Sequence, residues 1–349
     1  MAGAGARSGG WLFSRDADLA IFGGTAAVAL ALVALVPHRA APEWSWFAGV
    51  LLVDVAHVWS TAFVVYLDPA EWRRRPALYA GVPIAAFVAG VALYACGALV
   101  FWRAIAYLAV FHFIRQQYGW VMMYRAKNGE RDRLGRWLDG ATIYLATLYP
   151  LAWWHAHLPR QFAWMIDGDF AAGLPAWIAT ALGYAYAAAL VLYIARAAAQ
   201  RSTAWGKHLV VATTAACWYA GIVATDSDYA FTVTNVFVHG IPYMALVFVY
   251  ARNASREAAS RGGLAARLLD RRRAIVVFLA TLWLVAYAEE LLWDHALWHE
   301  RPWLFGGGFD LGAIAGIVAP LLAVPQLAHY VLDGFLWRRA TNPRLARLI

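Results

Sequence analysis

Apolar runs of about 20 residues recur from one end of the chain to the other, each long enough to cross the hydrocarbon core of a bilayer, and short charged segments divide them. Ten such runs can be placed, at 17–37, 45–67, 77–100, 104–124, 138–156, 172–196, 207–225, 230–251, 272–293 and 311–337. They leave no room for a soluble domain. The pattern therefore predicts an all-α, polytopic helical membrane bundle, a single domain over residues 1–349. The basic segment 252–273 could form a short surface helix with Leu264, Leu268 and Leu269 on one side, and otherwise reads as a solvated loop.

Charge sets the expected orientation. With helix-end residues assigned to the neighbouring gap, Lys and Arg number 2, 3, 5, 3, 7 and 4 in alternate segments and 1, 1, 1, 0 and 1 in the segments between. Basic residues collect on the cytoplasmic side of membrane proteins. The RRR at 73–75, the RAKNGERDRLGR at 125–136 and the 252–273 loop are thus expected in the cytoplasm, together with both termini.

Composition agrees, with hydrophobic residues at 62% and charged ones at 14% of the 349, where a soluble globular chain has roughly a quarter charged. The net charge of +8 calls for no nucleic-acid partner, since topology and the anionic lipids of the cytoplasmic leaflet account for it. Ala-rich helices and only two Lys among 29 basic residues fit a GC-rich bacterial genome, hence a cytoplasmic (inner) membrane location. The first apolar run is too long for a signal-peptide core and is expected to remain as an anchor. Cys96 and Cys217 each lie inside an apolar run, so there is neither a disulfide framework nor a CxxC motif.

Ionisable residues at mid-helix cost roughly 2.5–3.5 kcal/mol on insertion scales, which makes each a candidate functional residue. Four His qualify: His57, His112, His239 and His329, all on even-numbered runs. They stand 10, 12, 12 and 8 residues from the expected cytoplasmic ends, or about 12–18 Å at 1.5 Å per residue, which places the imidazoles in one layer. Each has a polar companion three or four positions away, on the same helical face: Asp54 for His57, Arg115 and Gln116 for His112, Asn235 for His239, and Gln326 and Asp333 for His329. Metal-bound imidazoles commonly donate their second N–H to such groups. Pro242 would free the carbonyl of Val238, and Pro325 that of Leu321, and so bend two of these helices and open space beside the rings.

Five other His are ordinary surface or interface residues on this reading. His155, His157, His295 and His299 fall at outer helix ends or loops, and His208 at the cytoplasmic face. A metal patch that joins the outer four to Glu289, Glu290 and Asp294 is the sharper alternative.

Imidazole-rich sites suit Zn, Cu and Fe. Non-haem iron that activates O₂ beside an apolar substrate accounts for a His cluster inside a membrane. In the layout of His57, His112, His239 and His329 on separate transmembrane helices, without HxxHH boxes, the chain resembles the bacterial and archaeal membrane β-carotene 15,15′-dioxygenase (Brp/Blh) family. That resemblance implies His-ligated iron and cleavage of a lipid-soluble polyene.

Three functions are expected to compete. The first is a membrane oxidoreductase acting on an isoprenoid, carotenoid or acyl chain. It uses the four His as ligands, Asp54, Asp333 and Arg115 as catalytic groups, and Gln116, Asn235 and Gln326 behind the ligands. The second is electron transfer through b-type haem held by paired His. The third is a proton-coupled transporter whose pathway uses Asp54, Arg115, His239 and Asp333. An acyltransferase using His239 with Asn235 is a remoter option.

Overall fold

The computed structural model describes residues 10–36, 42–270 and 272–349, and among these there is no β-strand. The first nine residues lie outside that set, as does Arg271 of the basic loop. Ten long helices follow one another: α1 Arg15–Leu35, α2 Glu43–Val64, α3 Pro76–Ala95, α4 Ala98–Lys127, α5 Arg133–Ala156, α6 Ala176–Ala199, α7 Trp205–Trp218, α8 Asp228–Ala254, α9 Ala274–Trp298 and α10 Gly312–Leu336.

Eight of them, all but α5 and α7, are long and apolar enough to cross a membrane. Within the described residues each of the ten expected spans is helical, but two fall short, α5 in composition and α7, whose α-helical part has 14 residues, in length. In α5, Thr and Tyr positions and Pro150 replace aliphatic ones, and in α7 the first turn carries Lys207 and His208. Their hydroxyl groups are turned inward: Thr142, Thr147 and Thr214 are fully buried. By contrast α3 and α6 bury little of their length, as helices facing lipid would.

The chain divides into two compact units. The first comprises 1–46, 110–163 and 170–242; the second 47–109, 164–169 and 243–349.

In the first unit α5 packs against α6 and α7, and α1 against α7. Phe22 of α1 meets Trp120 of α4 edge to face at 5.1 Å, and Tyr124 donates to Asp18 at 2.6 Å. Asp18 is fully buried and also accepts the backbone N–H groups of Leu12 and Phe13, at 2.6 and 3.0 Å. The start of α1 is thereby fixed beside the end of α4. Tyr124 also needs Gly206, where a Cβ would stand 2.1 Å from its ring.

In the second unit α9 packs on α2, and α10 on α2 and α3. Phe101, Trp102, Ile105, Trp293, Ala319 and Leu327 form its apolar core. At one end Arg344, just before the terminal turn Leu345–Leu348, reaches Asp68 at 2.9 Å, Glu71 at 3.3 Å and Glu257 at 2.9 Å. The basic loop holds one short helix, Leu264–Leu269, with Leu269 buried and Leu264 exposed, so only part of the expected apolar side is covered.

Candidate metal centre

Two of the four His follow directly on π-helical stretches. Trp46–Val55 is π-helical and His57 is the second residue of the α-helical segment after it; Thr232–Val236 is π-helical and His239 is the third residue after it. Such turns are rare and gather at functional sites. The irregularity expected at Pro242 therefore lies upstream, since Pro242 itself stands within the helix Phe237–Ala254. Pro325 opens a new helical segment, Val324–Leu336, after a break at Ala323 that separates it from Ala315–Leu322.

In the second unit the rings of His57 and His329 meet with centroids 5.0 Å apart and planes at 81°. In the first, His112 and His239 form a pair of nearly equal geometry, 5.0 Å and 80°. His57 and His329 are both buried, and each offers a ring nitrogen that could hold a metal ion. The ring of His239 lies flat on Phe113 at 3.6 Å, and its main-chain carbonyl accepts from Gln116 Nε2 at 2.8 Å.

A hydrogen-bonded chain sets the tautomer of His329. Its Nδ1 is 2.8 Å from Thr61 Oγ1, which is 3.1 Å from the Tyr243 hydroxyl, which donates to Asp333 Oδ1 at 2.6 Å. With the Tyr243 proton directed at Asp333 Oδ1, Thr61 would donate to Tyr243, and His329 Nδ1–H to Thr61. Nε2 then carries the lone pair, the form a metal binds. Trp337 Nε1 braces the far end, 3.1 Å from Asp333 Oδ1. For His57, Asp54 Oδ1 lies 3.5 Å from Nδ1 and favours the same tautomer.

The expected companions divide. Asp54 and Asp333 stand beside His57 and His329, at 3.5 and 3.7 Å from Nδ1. Gln326 donates to Tyr330 instead of approaching His329, at 2.7 Å. Asn235 Nδ2 lies 3.0 Å from Thr234 Oγ1, and both are pressed against Gly221, where a Cβ would come within 2.1 Å of Thr234. Arg115 is exposed, bonded to the Tyr144 hydroxyl and set over the Tyr118 ring at 5.0 Å.

Thr61, Tyr243 and Trp337 were missed in the sequence, although each lies four residues after a polar residue already singled out: His57, His239 and Asp333. Glu289, a member of the alternative outer metal patch, accepts from the indoles of Trp59 and Trp293. Of the outer His, His155 and His157 each bond a carbonyl one turn back at 2.7 Å, and His295 bonds the carbonyl of Phe305 at 2.7 Å.

The residues fit a metal. Two imidazoles, His57 and His329, each with a carboxylate beside it, form part of a donor set for a borderline divalent ion. Gln116 Oε1 and Asn235 Oδ1, on the helices of His112 and His239, are buried acceptors without a protein donor. Each such atom costs about 1–3 kcal/mol, which a donor arriving with a ligand would offset. Comparison of the chain with protein-family profiles, with curated proteins and with solved structures finds no match, and the site stands on its own geometry.

Proposed function

We propose that this chain is an integral membrane metalloenzyme, a non-haem iron oxidoreductase or oxygenase acting on a lipid-soluble substrate, with His57 and His329 among the ligands. The observation that carries the reading is the buried His57–His329 pair inside apolar helices. Iron in that donor set would supply O₂-activating redox chemistry. The chain's own residues would hold the ligands: Thr61, Tyr243 and Asp333 orient His329 through Nδ1, and Asp54 lies 3.5 Å from Nδ1 of His57. His239, stacked on Phe113, closes the side of His112. Arg115, exposed and bound to Tyr144, is left out of the catalytic set.

The haem alternative is disfavoured by one distance. His57 and His329 are in edge contact at 5.0 Å between centroids, which leaves no slot for a flat macrocycle between them. The transporter alternative loses Arg115 for the reason just given.

Elemental analysis with an absorption spectrum of detergent-purified protein tests the proposal. Stoichiometric iron in a pale preparation supports it. A Soret band would establish haem instead, and a metal-free protein that cannot be reloaded would end the metalloenzyme reading.

A further inference from the structure

Outside the His group, the first unit contains a polar cavity of about 470 Å³. It lies between the last turns of α4 and α6 and the first turns of α5 and α7, the helix ends that the charge pattern assigns to the cytoplasm. Five Lys and Arg side chains line it against three carboxylates. Two of the cations, Arg125 and Lys207, are themselves buried. Glu130 and Asp139 hold both of them, and Asp132 holds Arg196. Asp132 also caps α5 through the Gly135 N–H at 2.7 Å, and that N–H first, then Arg196 and Arg125, keep its carboxyl below the usual range. These charges are fixed in place and largely neutralised.

Arg201 differs from them. It is exposed at the rim, and its backbone is left-handed, φ 48°. Ser202 N bonds Ala197 O at 2.9 Å and Arg201 N bonds Ala198 O at 3.0 Å, the C-terminal turn of a helix whose left-handed position normally belongs to Gly. An arginine there accepts backbone strain to stand at the mouth of the cavity. Beside it, Ser202 Oγ and the Tyr193 hydroxyl grip the two ring nitrogens of His208 at 2.9 and 2.6 Å, so the wall is polar and ordered.

We propose that this cavity binds a phosphate-bearing anion, with Arg201 as the recognition residue. A guanidinium pairs with phosphate through parallel N–H bonds, and anionic lipid headgroups gather at basic pockets on this side of a membrane. The inference does not depend on the metal reading.

The test is the thermal midpoint of the detergent-purified full chain at constant ionic strength, titrated with short-chain phosphatidylglycerol, inorganic phosphate or diacylglycerol. For the wild type, phosphatidylglycerol should raise the midpoint in a saturable manner and diacylglycerol should not. A rise with inorganic phosphate alone would support the same site with a soluble source. Arg201→Gly should fold at least as well, because Gly suits the left-handed position, yet need on the order of tenfold more ligand. Arg201→Glu should abolish the response. If Arg201→Gly responds like the wild type, or if neither phosphate source shifts the wild type, the proposal is overturned.

Discussion

The Thr61 hydroxyl lies 2.8 Å from Nδ1 of His329, and through it an imidazole on α10 is oriented from α2. Because the chain continues through Tyr243 to Asp333, removing its first link should matter more than neutralising its last. Thr61→Val and Tyr243→Phe break the run of donors, whereas Asp333→Asn keeps an acceptor and loses only the charge. Thr61→Val is expected to lower metal affinity or activity about 10- to 100-fold, the usual effect of losing a ligand's hydrogen-bond partner. Thr61→Ser should behave like the wild type. Chelator competition on the purified variants checks the order, and equal affinity of Thr61→Val and wild type would remove the relay from the site.

The imidazoles themselves should not be equivalent. His57→Ala and His329→Ala each remove a member of the buried pair, and each should leave inserted protein with little bound metal. His239→Ala removes a ring that stacks on Phe113 and edges His112, so metal is expected to stay while turnover falls. Metal-to-protein ratios decide it. Loss of metal from His239→Ala with retention in His57→Ala or His329→Ala would overturn that assignment.

The legible part of this site was its polarity, and the illegible part was direction. An imidazole in an apolar run shows in the sequence because it is costly there, and that cost exposed His57, His112, His239 and His329 and the neighbouring Asp54 and Asp333. Helical spacing then gives the face but not the partner. Gln326 at three residues from His329 bonds Tyr330, while Thr61 from another helix takes the ring. Neutral Thr and Tyr carry no insertion penalty large enough to be noticed, which is why the relay was missed. The π-helical stretches before His57 and His239 were equally hidden, since they arise from packing and not from a residue type. Gly and Pro drew attention to Pro242, one turn from the actual irregularity.

The number of crossings can be decided at α5. This helix and α6 have 24 residues each, and the start of α5 meets the end of α6 through Asp132 and Arg196. At the opposite end Arg160, after α5, meets Asp226, after α7, at 3.1 Å. Helices α5 and α7 thus run between the same two ends as α6, in spite of their polar content. Reporter fusions after Arg75, Arg136, Arg201 and Arg261 are expected to report cytoplasm, and fusions near Arg160, Asp226 and Arg301 the other side. A cytoplasmic signal at Arg160 would mean that α5 does not cross, and would reverse the orientation of α6.

Arg344 offers a stability test away from the metal. Its guanidinium is buried and reaches Asp68, Glu71 and Glu257, with Ser260 Oγ accepting at 3.1 Å. Asp68 and Glu71 are buried as well, and Glu71 also takes hydrogen bonds from Arg74 and Tyr79. Removing one partner of such a cluster strands charge in a poor solvent, which costs about 3–5 kcal/mol. Arg344→Ala should therefore unfold at clearly lower temperature or denaturant. Arg344→Lys keeps the charge but not the planar fork that serves three carboxylates at once, and should fall between. The fraction still folded should bind as much metal as the wild type, because no residue of the cluster touches the His rings. If Arg344→Ala lost less than about 1 kcal/mol, the range of an exposed pair, the terminal segment would be a surface appendage and not a fastening of the second unit.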